Sequence, residues 1–474
     1  MNRWPTLGMI AVCVIGFDPV LVRADGGEPS PAQEEAKASH VQSGVIQPQA
    51  DQGAILGFCV GARGGLVAVV GKKSGFGAGP QPAGGRNVAA HRVIWFDADG
   101  AESRAIELDF AATCIASEPE GGFYVAGDGV VAKLSAGGEE ILRGATPGAV
   151  LTEEARAELE RSVVEKQDAA LAAYDKQVAR IQSAIEELGD KKEALEKPVE
   201  QPGKDQKSTG QPAGEEDADG EQSEAAAAEE RRVAAAKERN RRYRLQTLQS
   251  QERRLSEQLN ELETASRRAR AQEPADLVRQ TLQKTRQVRA ITAADDTVFV
   301  VLGESSGYGY AAWRLDGRLR NPEKVLEKLV GCCGQMDVQV IGDRLAVAAN
   351  RKHCVELFDF EGEASGKAGA RAAKGDGGVG FGGCCNPMNT CPAPDGTFLT
   401  SESNGLVKRF DADGKFVEIV GKAEVRGGCK NSAIAIEPDG KRLYYIDSSG
   451  GKVLVLAAAE PGPDVDAATP DQEE

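Results

Sequence analysis

Apolar residues recur along most of the chain in short β-branched runs separated by glycine-bearing turns. Gly65–Val70 (GLVAVV) predicts a strand, and His91–Phe96 (HRVIWF) predicts another, closed by a turn at Asp97–Gly100 (DADG). That ending recurs. Phe410–Gly414 (FDADG) repeats it closely, while Trp313–Gly317 (WRLDG), Phe358–Gly362 (FDFEG) and Lys133–Gly137 (KLSAG) are looser copies. A second turn precedes several of them, with a strand behind it: Pro119–Gly121 (PEG) before Phe123–Ala126, Pro394–Gly396 (PDG) before Phe398, and Pro438–Gly440 (PDG) before Leu443–Ile446. Residues 331–362 overlay 383–414 without a gap at an offset of 52, and the next copy starts at Gly427, 44 residues further on.

The period changes between the second and third of these units. Residues 150–273 are rich in Ala, Glu, Gln, Arg and Lys. Leu171, Tyr174, Val178, Ile181, Ile185 and Leu188 follow a 3-4 spacing, as do Leu245, Leu248, Leu255, Leu259 and Leu262 with Glu252 at the one polar position. Such seams predict two helices in a coiled coil. Thr152 is the expected N-cap, with acids after it, and Pro198 and Pro274 are the expected stops. The segment between the helices, 198–224, is Pro-, Gly- and acid-rich and reads as disordered. Two helices joined by that segment fold back most simply as an antiparallel hairpin, which at about 1.5 Å per residue projects roughly 65–70 Å.

Six units emerge, at 54–100, 110–143, 288–320, 331–363, 383–421 and 427–457. A unit of this size, with several short strands and a D-x-D-G turn, is the sequence form of a propeller blade. The expected fold is an all-β propeller of six blades with a long antiparallel α-helical coiled-coil hairpin inserted. Blades one and two fall in 51–149, the hairpin in 150–273 and blades three to six in 274–457. Val41–Ile46 is a candidate for the strand that closes the ring. The repeats resemble the NHL family of six-bladed propellers, best in Asn386–Gly421 with its N-P…PDG…S-x-x-N-G-x-V-x-x-F-D-x-D-G-K-F run. The resemblance implies a fold rather than an activity, because such propellers bind proteins, RNA or small ligands and only some are enzymes.

The first 24 residues have the form of a secretory signal: Arg3, an apolar run Leu7–Phe17 (LGMIAVCVIGF), and small residues before the site at Ala24. Eleven apolar residues are too few to span a hydrocarbon layer of about 30 Å. Val12 before Cys13 argues against lipidation. The mature chain is therefore expected to be periplasmic or extracellular, with no transmembrane segment. The formal charge of -16 is concentrated in three stretches that read as disordered: the lead-in 25–50, the segment 198–230 with ten acids against two bases, and the tail from 457 to 474 with six acids and no base. The rest of the chain is near neutral. No basic cluster stands out on the blades, so no nucleic-acid partner is expected.

Ten cysteines against three histidines point to sulfur chemistry. Cys332-Cys333 and Cys384-Cys385 occupy equivalent positions in adjacent blades, each followed by a methionine, Met336 and Met388, and Cys429 holds the corresponding place in the sixth blade. In NHL-like repeats this stretch leads into the innermost strand near the channel, so five thiols and two thioethers are brought towards the axis. Three explanations stand at this point. Inter-blade disulfides suit an exported protein. A soft-metal centre, copper or an iron–sulfur cluster, suits thiolate and thioether ligands. Buried thiols can also serve as apolar filler. Asp337 and Asn389 are positioned for supporting polar contacts. Cys59, Cys114, Cys354 and Cys391 look structural, and Asn404 and Asp447 look like turn-forming side chains. His40 falls in the lead-in, and His91 and His353 in strand-associated segments where packing is expected. The chain lacks G-x-S-x-G, a phosphate-binding loop and H-E-x-x-H, and has too few histidines for a propeller lyase or lactonase. The sequence therefore predicts a binding or scaffold module rather than an enzyme, whose propeller face or helical arm engages a protein partner. The alternative is a metal- or redox-handling protein acting through the channel sulfurs.

Overall fold

The computed structural model describes residues 38–459 apart from 63, 73–90, 119, 198–219, 305–308, 333–334, 374–377, 384, 427 and 429–430, and omits the side chains of 220–227. The signal, the acidic tail, most of the lead-in and segment 198–219, and Cys333, Cys384 and Cys429 lie outside the described residues.

The first strand, β1 (His40–Ile46), stands apart from those that follow it. Next come four-stranded antiparallel sheets in chain order. Blade one is β2 (Ala54–Val60), β3 (Leu66–Gly71), β4 (His91–Phe96) and β5 (Glu102–Leu108). Blade two is β6 (Cys114–Ser117), β7 (Phe123–Gly127), β8 (Val130–Leu134) and β9 (Glu140–Ala145). Three helices intervene: α1 (Glu153–Glu196), α2 (Gly220–Arg270) and α3 (Pro274–Arg286). Blade three is β10 (Val288–Ala294), β11 (Thr297–Gly303), β12 (Tyr310–Asp316) and β13 (Glu323–Leu329). Blade four is β14 (Val338–Ile341), β15 (Arg344–Ala349), β16 (Cys354–Phe358) and β17 (Ala364–Ala368). Blade five is β18 (Asn389–Pro392), β19 (Phe398–Ser401), β20 (Leu406–Phe410) and β21 (Phe416–Lys422). The sixth sheet takes β22 (Ile434–Ile436), β23 (Arg442–Asp447) and β24 (Lys452–Ala458) from the C-terminal end, and its outer strand is β1.

The innermost strands touch in a closed cycle: β2 with β6, then β10, β14, β18 and β22, and β22 again with β2. Six sheets in such a cycle are a six-bladed propeller. β1 closes it by pairing antiparallel with β24, from His40 opposite Ala458 to Ile46 opposite Val453. His40 is thus the buried start of the closing strand, not part of a disordered lead-in.

The core is a set of apolar layers, each shared by two neighbouring blades. Ile55, Leu66, Ala68 and Ile94 of blade one pack on Tyr444, Ile446 and Val453 of blade six. Phe299 and Val301 of blade three pack with Leu345 and Val347 of blade four. The middle strands are buried on both faces, as in β3 where all six residues are buried, so they read as continuous apolar runs. The outermost strands are not: β5 and β17 are largely exposed. This is why the sequence units 54–100, 288–320 and 331–363 stop short of their fourth strands, which carry too little apolar signal to be seen.

The D-x-D-G turns join third to fourth strands. In each, one aspartate oxygen accepts two backbone N–H groups: Asp97 from Asp99 and Ala101, Asp316 from Arg318 and Arg320, Asp359 from Glu361 and Glu363, Asp411 from Asp413 and Lys415. The fourth turn position has positive φ, at Gly100 (79°), Gly362 (92°) and Gly414 (85°), and blade three forces Leu319 to 58° there. Leu319 is nonetheless buried in the layer between blades two and three. Its packing offsets the backbone strain that glycine avoids elsewhere.

The described residues divide into a propeller unit, to which 38–162 and 275–459 belong, and a helical unit spanning Val163–Pro274. Thr152 Oγ1 accepts the N–H of Ala155 at 3.2 Å, making it the N-cap of α1. All six seam positions of α1 and all six of α2 are half-buried. Contacts between these helices join low numbers to high ones: Gln167 donates to the carbonyls of Ala269 and Gln272, Lys192 pairs with Glu252, and Arg241 donates to the carbonyl of Leu195. One boundary differs from the sequence expectation. Residues 220–224, assigned to the disordered segment, are helical, continuous with the helix-favouring alanines 225–228. α2 ends at Arg270, ahead of Pro274, and Pro274 is itself the first residue of α3, a position that needs no backbone N–H. No helix among the described residues is long and apolar enough to cross a membrane.

Gly414→Ala tests the turn. A Cβ there would lie 2.8 Å from Lys367 O and 3.0 Å from Ala368 Cβ, at φ +85°, whereas at Gly396 (φ +82°) it would meet open space. Each substitution is expected to cost about 1–2 kcal/mol of backbone strain, with Gly414→Ala the more costly. Urea unfolding of the two variants side by side measures the difference.

Candidate functional site

Cys332 and Cys385 lie in the connections that lead into the innermost strands β14 and β18, and their Sγ atoms are 2.7 Å apart. The first cysteine of one doublet meets the second of the next across the boundary between blades four and five. Cys385 is buried, and Cys332 is half-buried. No disulfide joins the described cysteines.

Each loop is held by polar groups of its own blade, among them a side chain of the turn between the second and third strands, Asn350 in blade four and Glu402 in blade five. In blade four Asn350, fully buried, accepts the N–H of Cys332 at 2.7 Å and donates to Gln335 O at 3.4 Å, while Gln335 N–H returns to Cys332 O. In blade five Asn386 Nδ2 donates to Gly382 O at 2.7 Å and to Glu402 Oε2 at 3.1 Å, and its Oδ1 accepts from Ser403 N–H at 2.8 Å. Glu402 forms an ion pair with Lys408, the two side chains being 2% and 1% exposed. The Lys408 ammonium also donates to Gly380 O and stands 5.0 Å from the centre of the Phe381 ring. Burial pushes the Glu402 carboxyl upward, and Lys408 and Asn386 act against it. Such desolvation is costly. Here the groups that bear it tie down Gly380, Gly382 and Asn386, which flank Cys385.

Below this level the same residues stitch blades together. Asp337 Oδ2 accepts from Thr390 N–H at 2.7 Å and from Thr390 Oγ1 at 3.2 Å, joining blade four to five. Asn389 Oδ1 accepts from Ser432 N–H at 3.2 Å, joining five to six. Thr292 Oγ1 accepts from Val340 N–H at 3.1 Å, joining three to four. Asp337 and Asn389, expected to support the sulfurs, therefore act as inter-blade ties. Burial raises the Asp337 carboxyl above its ordinary value, opposed by the Thr390, Gln339 and Asn389 hydrogen bonds.

Among the other expected site residues, Met388 is buried next to its loop, its N–H donating to Ser401 O. Met336 packs with Phe299, Leu326, Leu329 and Val347 in the apolar layer between blades three and four. Its thioether thereby serves as core filling, the ordinary role of a flexible unbranched side chain. Cys59, Cys354 and Cys391 are buried, Cys114 is half-buried, and burial drives their thiols upward, Cys114 to about 11 and Cys391 to about 12. These four remain protonated at neutral pH, as structural cysteines do. Asn404 and Asp447 make the expected turn hydrogen bonds, to Leu406 N–H and to Ser449 and Gly450 N–H. His91 is buried with Nδ1 2.8 Å from Ala112 O, and burial lowers its pKa. His353 sits buried at φ 56°, with no partner for Nδ1 among the described residues, and burial lowers its pKa.

The Asn350, Asn386, Glu402 and Lys408 cradle escaped the sequence reading. One signal was present. Lys408 stands three residues before the turn aspartate Asp411, where blade one has the fully buried Ile94 before Asp97, so a charge occupies a core position.

No family model and no curated protein matches this chain. Among solved structures it is similar to a catalytically inactive virginiamycin B lyase from Staphylococcus aureus (TM-score 0.38, 9% identity, 88% of this chain and 99% of that one). It is also similar to the calcium-binding protein regucalcin from Agrobacterium tumefaciens (TM-score 0.39, 10% identity, 88% and 93%) and to BamB from Moraxella catarrhalis (TM-score 0.32, 11% identity, 90% and 99%). Likenesses this distant add nothing to the strand order and the closed cycle of inner strands, which establish the propeller by themselves.

One variant tests the cradle and a second tests the inter-blade tie at Asp337. Lys408→Met leaves Glu402 buried without its cation and is expected to cost about 3–5 kcal/mol, read by urea unfolding, with Cys385 becoming more reactive to iodoacetamide. Asp337 has its folded-state pKa raised, so the stability tied to its protonated form is complete below the unfolded value and lost as pH rises through the folded one. Unfolding of wild type and Asp337→Asn from about pH 4 to about pH 7 should therefore show wild type losing ground to the variant as pH rises. A constant difference would contradict the raised carboxyl.

Proposed function

We propose that this protein is an exported NHL-like six-bladed propeller that works as a binding or scaffold module, with α1 and α2 forming an antiparallel coiled-coil arm for partner docking or self-association. The observation that carries this role is the way the ring accommodates the helices. Gly129 N–H donates to Arg286 O at 2.8 Å, Thr146 N–H donates to Gly129 O at 2.8 Å, and Thr285 Oγ1 lies 3.5 Å from Gly148 O. Both ends of the excursion from blade two to blade three are thus fixed at one place, and the inner strands β6 and β10 still meet. A ring whose inner strands meet across the insertion point would leave the helices available for a role of their own. Their seams repeat the 3-4 spacing that pairs helices.

Replacing residues 163–273 by a short Gly-Ser linker tests it. The shortened chain is expected to keep its strand circular dichroism and cooperative unfolding, and to lose any self-association that the full chain shows by light scattering. Unfolding of the ring, or an unchanged assembly state, would remove the arm from the account.

The sulfur site supports a second role, the handling of a soft metal or of redox equivalents through Cys332, Cys333, Cys384, Cys385, Cys429, Met336 and Met388, with copper or an iron–sulfur cluster as the candidate cofactor. The observation in its favour is the 2.7 Å approach of Cys332 and Cys385 across a blade boundary. The apolar packing of Met336 weakens that residue as a ligand. Neither role requires catalysis at the propeller.

A further inference from the structure

We propose that Cys332 and Cys385 form a thiol–disulfide exchange site that clasps blade four to blade five. The proposal sharpens the sulfur role above and is independent of the scaffold role. Three observations carry it. The first is distance. A disulfide holds its sulfurs about 2.05 Å apart. A tetrahedral thiolate metal site, with metal–sulfur bonds of about 2.3 Å, holds them about 3.8 Å apart. The 2.7 Å separation lies nearer the first and would have to open by more than it would have to close.

The second is preorganisation. Asn350 holds the Cys332 backbone from blade four, while Asn386, Glu402 and Lys408 hold the Cys385 loop from blade five. These groups are buried. Each loop is tied to its own blade, so the two sulfurs are presented to each other from opposite sides of the blade boundary. The third is asymmetry of access. Cys332 is half-buried and Cys385 is 1% exposed, which suits an attacking cysteine that meets reagents and a resolving cysteine behind it.

The co-reactant is a small-molecule disulfide. The Cys332 thiolate attacks one of its sulfurs, the external S–S bond breaks, one external thiolate leaves, and a mixed disulfide forms on Cys332. The Cys385 thiolate then attacks Cys332 Sγ, and the second external thiolate departs. The two protein thiols give up two electrons and two protons, and one external disulfide becomes two thiols. The reverse sequence with two external thiols reopens the clasp. Oxidation thereby adds a covalent link between blades that are otherwise joined here by side-chain and packing contacts.

The test uses the full chain, reduced and then equilibrated in glutathione mixtures of increasing oxidised fraction, with alkylation, digestion and mass spectrometry at each step and metal content measured on the same samples. The expected result is a peptide pair linking Cys332 to Cys385 that rises with the oxidised fraction and disappears on return to reduced glutathione. The thermal midpoint should rise on oxidation in wild type and not in Cys332→Ser. Linkage of either cysteine to Cys333, Cys384 or Cys429 instead, absence of any Cys332–Cys385 link at every ratio, or bound metal that keeps both thiols unreactive would each overturn the proposal. The wild-type peptide map decides even if a serine variant fails to fold. None of these outcomes bears on the arm deletion, so the scaffold role stands or falls separately.

Discussion

Ring closure is the constraint on which the rest of this protein depends. A four-stranded sheet whose middle strands are apolar on both faces cannot exist alone in water, since each face needs a partner. In this chain every apolar layer is shared by two blades, so no blade is complete until its neighbours are in place. The first and last blades meet the same requirement through β1. It crosses from the N-terminal end of the described chain to pair with β24, while Ile46 packs among Tyr444, Ile446 and the first-blade residues. A break at that seam would expose two apolar faces at once.

Near the innermost strands polar ties are added to the apolar contacts that Ile115, Ile291, Val338 and Ile434 make there. Thr292, Asp337 and Asn389 each reach across a blade boundary to a backbone N–H. The cost is desolvation, visible in the raised carboxyls of Asp337 and Glu402. Glu402, Lys408 and Asn386 extend this polar stitching to the loop that holds Cys385, and Asn350 extends it to Cys332. The sulfur pair is thus built on the same architecture that joins the blades.

The helical insertion illustrates a complementary point. A long excursion is tolerated because its two ends return to one place, where Gly129 bonds both Thr146 and Arg286. The ring does not need to stretch to admit it. Loops of this kind carry new function at little thermodynamic cost when their anchors are fixed.

Local chemistry was legible in the sequence. The D-x-D-G turns follow from an aspartate that accepts two N–H groups and a glycine at positive φ. The α1 and α2 seams follow from heptad spacing, and the middle strands from their continuous apolar runs. The outer strands β5 and β17 were not legible, because strands facing water carry no apolar period, and β13 buries only Leu326 and Leu329. Helix α3 was hidden too, since its buried Leu277, Val278, Thr281 and Thr285 mix apolar with polar residues. The doublets at Cys332-Cys333 and Cys384-Cys385 announced sulfur at one level of the ring. They did not announce which sulfurs meet. Cys332 and Cys385 touch across a blade boundary, a relation between residues 53 apart that no local pattern encodes. The sequence determined the elements and their turns through interactions a few residues long. Only the tertiary structure decided which polar groups are buried and which cysteines touch, because burial and contact are properties of the closed ring and not of any one blade.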